Sequence, residues 1–92
     1  MNNKCVYRHR RLDTNEIFYV GIGTDKRPYD FNKRSKWWKN IFLLTDINVE
    51  VLYENLSWED VCELEEFLIN LYGRRDLGLG SLVNMTNGGS VS

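Results

Sequence analysis

The chain has one proline, one histidine and two cysteines. The cysteines, Cys5 and Cys62, stand far apart and outside any C-x-x-C spacing. They read as reduced, buried thiols in a cytoplasmic protein, with a lone disulfide or a shared metal as the alternatives. No apolar run approaches the roughly 20 residues of a membrane span, so no membrane partner is expected. No charged-then-apolar leader opens the chain, and export is not expected either. There is no Walker loop, no H-E-x-x-H, no nucleophile elbow, no repeat and no low-complexity linker. These absences set aside P-loop nucleotide hydrolysis, the zincin proteases and the α/β-hydrolase esterases.

What is present is a chain that folds. Apolar residues make up 42% of it, and three Trp, five Tyr and four Phe supply rings for a core. Disorder requires far fewer of both. Residues 1–92 read as one domain, near the lower size limit for a self-sufficient core. The net charge of −1 conceals an asymmetry. Residues 1–40 hold ten Lys/Arg against four Asp/Glu, and residues 41–92 hold two against nine. Either the basic half presents a field that a nucleic-acid backbone would feel, or the acidic half neutralises it within the fold.

The chain is organised around Phe18-Tyr19-Val20-Gly21-Ile22-Gly23, with Arg27 close behind. Glycine carries no Cβ, so another backbone or a phosphate can approach there; the plainer reading is a strand running into a Gly turn. Before it, residues 4–11 alternate as a strand, with Cys5, Tyr7 and His9 on one face and Val6, Arg8 and Arg10 on the other. Asp13-Thr14-Asn15 is turn chemistry, and residues 16–22 return as the second arm of a hairpin with Ile17, Tyr19 and Gly21 on one face. Thr24 or Asp25 is expected to cap a helix whose first turn admits Pro28. Basic and aromatic residues then interleave through Tyr29, Phe31, Lys33, Arg34, Lys36, Trp37, Trp38 and Lys39. That pattern suits a surface tracking phosphates, with Arg8, Lys33, Arg34, Lys36 and Lys39 as DNA contacts. It equally suits short amphipathic helices with solvated lysines. Residues 47–54 alternate as a third strand, with Ile47, Val49, Val51 and Tyr53 inward.

Ser57 caps a helix that runs to Tyr72 and ends at Gly73. At about 100° per residue, Glu59, Glu63, Glu66 and Asn70 form a polar stripe. Trp58, Val61, Cys62, Leu64, Leu68, Ile69, Leu71 and Tyr72 occupy the opposite arc, and Glu65 falls inside that arc. A carboxylate there costs several kcal/mol without compensation. It is a structural ion pair, a metal ligand or a catalytic acid. In the tail, Asn84 follows Leu82-Val83 and is expected to lie against the body, and Asn87-Gly88-Gly89 is a turn.

Tyr7 in a first strand, Tyr19-Val20-Gly21 ending a second, then Arg27, Glu65 and Asn84 in that order resemble the GIY-YIG nucleases over essentially the whole chain. The resemblance implies a small α/β sandwich, a three-stranded antiparallel sheet flanked by helices, that hydrolyses DNA phosphodiesters with a divalent metal. It implies that Glu65 holds Mg²⁺, with Mn²⁺ substituting. Tyr7 becomes the general base, Tyr19 positions water or phosphate, Arg27 neutralises developing charge, and Asn84 anchors the loop or touches substrate. The chain departs from the family at Cys5-Val6-Tyr7, where Gly-Ile-Tyr is usual, and at Phe31, where many members carry a histidine. His9, on the Tyr7 face, is the candidate replacement for that proton relay. A free tyrosine with a pKa of roughly 10 is a poor base at pH 7, so nearby positive charge is expected to lower it. The rival reading is a nuclease-like module that binds DNA or a protein without cutting. A bare catalytic module has little surface for base readout, so specificity would come from a homodimer, a protein partner or DNA structure.

Overall fold

Alternation builds β1 (Lys4–Arg11) and gives its two faces different neighbours. The computed structural model describes residues 2–89; the single-domain expectation over 1–92 also takes in residues 1 and 90–92, which lie outside the described residues. β2 (Ile17–Gly23) pairs antiparallel with one edge of β1, and β3 (Ile47–Leu56) with the other, giving the order β2-β1-β3. Between β2 and β3 lie a 3₁₀ turn, Arg27–Tyr29, and helix α1 (Lys36–Phe42). Helix α2 (Trp58–Tyr72) follows β3, and a second 3₁₀ turn, Arg75–Leu77, begins the tail. The result is a small α/β domain, a three-stranded antiparallel sheet with two helices.

Each face of the sheet has its own core. On one, Val6, Ile17 and Val20 meet Val61, Leu68 and Ile69 of α2, with Leu82 from the tail. On the other, Phe18 packs with Trp38 and Ile41 of α1 and with Val83. Ser57 caps α2 by accepting the Asp60 N–H at 3.1 Å, and Ser35 caps α1 through the Trp38 N–H at 3.2 Å. Both cysteines are buried free thiols. No helix among the described residues is long and apolar enough to cross a membrane.

Four local expectations are corrected. β2 carries a bulge: His9 pairs with Tyr19 but Arg10 pairs with Ile17, so Phe18 is the extra residue. The bulge turns Ile17 to the α2 face, and it no longer shares a face with Tyr19. A second irregularity in β3, where Val6 opposes Tyr53 and Tyr7 opposes Val51, leaves Tyr53 49% exposed. Trp58 and Leu71, expected within the apolar arc of α2, are instead exposed, at 53% and 62%. Neither Thr24 nor Asp25 caps a helix; the turn at Arg27–Tyr29 begins from Lys26 with Pro28 in its first positions and no side-chain cap.

The tail closes the free edge of β2, which would otherwise expose unpaired backbone groups. Leu82 enters one core and its neighbour Val83 the other. Ser81 Oγ donates to the Ile17 carbonyl at 2.6 Å and the Val83 N–H to the Phe18 carbonyl at 2.8 Å. Asn84 completes the seam by accepting the Val20 N–H at 3.1 Å and donating to the Val20 carbonyl at 2.8 Å.

Candidate functional site

A cleft of about 270 Å³ opens beside the end of β2, and its walls include Tyr19, Arg27, Lys33, Arg34, Glu65 and Asn84. The two glycines of the central stretch make it possible. A Cβ on Gly21 would collide with the phenol end of Tyr7, and one on Gly23 would come within 2.7 Å of the Arg27 side chain. Glycine here admits the protein's own tyrosine and arginine, and so brings both to the site.

Arg34 is the centre of the cleft. Its Nε donates to the Asp30 carbonyl at 2.8 Å, one Nη to the Arg27 carbonyl at 2.7 Å, and the other Nη to the Tyr7 hydroxyl at 2.9 Å. The guanidinium carbon lies 5.5 Å from the Tyr7 ring centre, 5.2 Å from Tyr19 and 5.8 Å from Trp38. A cation against ring faces in this range is attracted by their quadrupoles. Reading Arg34 as one surface DNA contact among several missed this place. The signal was its distance from Arg27, but the carbonyls that hold it depend on the loop path. Arg27 is less constrained, with Nη2 donating to the Lys33 carbonyl at 3.2 Å and Nη1 lying 3.6 Å from the Asp30 carboxylate.

Tyr7 is fully buried beneath Arg34. Burial, followed by the neighbouring Tyr19, pushes its pKa up to about 12, and Arg34 and Arg27 oppose this only in part. Nearby positive charge was expected to lower it, but desolvation outweighs the cations.

His9 is also fully buried. The Trp38 indole N–H donates to its Nδ1 at 2.9 Å, so the neutral ring keeps its proton on Nε2, 2.8 Å from the Pro28 carbonyl. Desolvation, with smaller contributions from Arg34 and Arg27, lowers its pKa to about 4. Both nitrogens are engaged within the core. His9 ties β1 to α1 and to the 3₁₀ turn, and no nitrogen is left to relay a proton. Phe31 packs edge-on to His9 and against Trp38 and Phe42, where an imidazole would need a polar partner.

Glu65 is half-buried, and burial raises its pKa while the Gly89 N–H, 3.3 Å from Oε1, offsets this in part. Among the described residues no cation forms an ion pair with it, which removes the structural ion-pair reading. Gly88 lies against the Glu65 side chain, where a Cβ would approach within 2.9 Å. The tail turn therefore wraps this carboxylate.

The remaining basic candidates separate. Arg8 points to the α2 face, where it holds Glu50 at 2.6 Å and the Tyr72 hydroxyl at 2.7 Å, and it does not line the cleft. Arg10 shares Glu50 at 3.1 Å, and the two arginines and Asn48 hold that carboxyl down at about 2. Part of the basic half is thus neutralised internally. Lys33 lines the cleft, Lys36 lies 4.8 Å from the Trp37 ring centre, and Lys39 is exposed on α1.

Among the described residues no three metal-ligating side chains cluster. A divalent ion held only by protein is therefore not supported, but Mg²⁺ is commonly bound by one or two carboxylates plus phosphate oxygens and water. Glu65 fits that donor set. Compared with models of known protein families, with curated proteins and with solved structures, the chain finds no match.

Proposed function

We propose that the chain is a divalent-metal-dependent DNA endonuclease of GIY-YIG type. The observation that carries this reading is a half-buried carboxylate with no ion-pair partner among the described residues, sharing one cleft with Arg27, Lys33 and Arg34. Three cations around a concave site suit a phosphodiester, and the free carboxylate suits a metal bound jointly with it.

In this reading Arg34 acts as a preorganised fork. Three of its nitrogens already have fixed partners, so the guanidinium plane is set before a phosphate arrives. Arg27 and Lys33 receive the non-bridging oxygens, and charge growing on them in the transition state is stabilised without reorganisation. Glu65 would hold Mg²⁺ or Mn²⁺, which when bound supplies Lewis-acid stabilisation of the phosphate and leaving oxygen. Tyr19 stands at the cleft wall, where its hydroxyl orients phosphate or water. Asn84 acts on the backbone of Val20 and fixes the edge of the cleft. As the phenolate, Tyr7 would accept the proton of the attacking water and become the phenol, once the Arg34 side chain above it admits that water. With its pKa near 12, the reactive phenolate is scarce at neutral pH, and cleavage rises with pH instead of levelling off near 7.

A second reading, a module that holds DNA without cutting it, is favoured by the raised pKa of Tyr7 and by the absence of a free imidazole. One experiment separates the two. Purified protein is incubated with supercoiled, linear and branched DNA in Mg²⁺, Mn²⁺ or EDTA. Metal-dependent strand cleavage is expected; retarded but intact DNA under every metal condition would leave only the binding module.

A further inference from the structure

A second concavity, about 360 Å³, adjoins the cleft, and Val83 and Met85 are walls of both. Its size falls in the roughly 300–1,000 Å³ range of small-ligand sites. The floor and sides are apolar, formed by Trp37, Ile41 and Leu44 of the α1 region against Val83 and Met85 of the tail. Trp37 and Trp38 are consecutive and point about 100° apart. Trp38 is buried at the cleft wall, whereas Trp37 is 47% exposed and faces the groove. One helix therefore walls both cavities.

Charge and continuity identify the occupant. At the rim stand Arg75, whose side chain forms no ion pair among the described residues, and Arg11, already bound to Asp13 at 2.7 Å. The acidic residue there, Asp76, is neutralised by Arg74, which donates to both its oxygens at 2.9 and 2.6 Å. Asn40 adds an amide able to donate and accept at a base edge. The groove thus offers an indole face, an amide and a net positive rim directly beside the cleft proposed for phosphate.

We propose that this groove receives one nucleobase unstacked from the DNA, so that the substrate carries an unpaired nucleotide next to the cleaved phosphate. The inference rests on the nuclease reading of the cleft and names its substrate class. A base within a regular duplex is already stacked on its neighbours, and its face is not free to meet Trp37. A bulged, flapped or otherwise unpaired base costs least to extrude and gains a stacking partner. The groove reads a π-face and not a sequence, so the preference is for DNA structure.

The test uses the full protein in EDTA, where no metal supports cleavage, with two duplexes of equal length. One is fully paired, and the other carries a single bulged 2-aminopurine. The bulged duplex is expected to bind roughly ten-fold tighter, with its 2-aminopurine fluorescence quenched on binding. Trp37→Ala should reduce that ratio to about one while leaving affinity for the paired duplex unchanged, and Trp37→Phe should retain most of it. Equal affinity of the wild type for both duplexes overturns this inference alone and leaves the cleft reading standing. Failure to bind either duplex in EDTA, and again with Ca²⁺ in its place, overturns the cleft reading and this one with it. A wild-type dimer in the absence of DNA that Trp37→Ala dissociates would assign the groove to a second copy and remove the nucleobase.

Discussion

The two faces of the sheet solve the same packing problem with different chemistry. The α2 face is aliphatic: Val6, Ile17, Val20, Val61, Leu68, Ile69 and Leu82 interlock without a polar atom among their side chains. The α1 face buries Tyr7, His9, Phe18 and Trp38, three of which carry polar groups that must be satisfied. They are satisfied by one another and by the backbone: indole to imidazole, imidazole to the Pro28 carbonyl, guanidinium to phenol. Among the described residues no buried side-chain nitrogen or oxygen lacks a partner. The aliphatic core contains no titrating group, and the Arg8–Glu50–Arg10 cluster at its margin, whose carboxyl is held at about 2, loses its contribution only as pH falls below about 4.5. The aromatic face provides a cation fixed in position, and with it a dependence on protonation.

The largest expected effect lies on the aromatic side. Arg34→Ala should lower cleavage by about 10²–10³-fold. Arg34→Lys should recover little of it, because an ammonium cannot reproduce three fixed donors. Cleavage within about three-fold of wild type in both variants would show that the fork is only structural. On the aliphatic side, Ile69→Ala should cost about 2–5 kcal/mol by denaturant unfolding. Its rate per folded molecule should hold. A matching fall in rate per folded molecule would mean the two faces are not separable.

A pH titration sharpens the contrast. His9 titrates near 6.5 when unfolded and at about 4 when folded, so the unfolded chain binds the extra proton between those values. Stability is therefore complete above about pH 6.5 and falls as pH drops toward 4, by about 3 kcal/mol from this residue. His9→Gln, which keeps a donor and an acceptor, should flatten that part of the stability curve while leaving the pH–rate profile of cleavage in place. A changed rate profile with an unchanged stability curve would restore His9 to the chemistry. The smallest effect concerns salt. Charge reversal at Lys33 should reduce the log–log salt slope of DNA binding by about 0.9 for each phosphate the protein ceases to neutralise. The same change at Arg8, bound to Glu50 on the far face, should leave the slope unchanged. Equal slopes for both variants would put the DNA elsewhere.

Much of this was legible in the sequence. Strand alternation gave the faces of Tyr7 and Val6, the helical projection singled out Glu65, and Leu82-Val83 marked Asn84 as held against the body. These are local patterns, each readable within a few residues. What was not legible depends on partners distant in the chain. Those of His9 lie 19 and 29 residues away, and a strand pattern cannot distinguish a titrating imidazole from one locked by an indole. The place of Arg34 follows from where the 3₁₀ turn leaves the Arg27 and Asp30 carbonyls, and loop paths leave no periodic trace. The bulge at Phe18 shifts register by one residue, and a period-2 reading has no means of registering it.

The central claim is that the Glu65 carboxylate, and not its neighbours on the polar stripe, supports phosphodiester cleavage. Its most direct measurement is the nicking rate of supercoiled DNA in Mg²⁺ for wild type, Glu65→Gln, Glu63→Gln and Glu66→Gln, with thermal unfolding of each. Glu65→Gln should lose roughly 10³-fold or more in rate. It should unfold no earlier than wild type, since a half-buried charge is removed and shape is kept; the other two should cut normally. Wild-type cutting by Glu65→Gln, or loss confined to Glu63→Gln or Glu66→Gln, would contradict it.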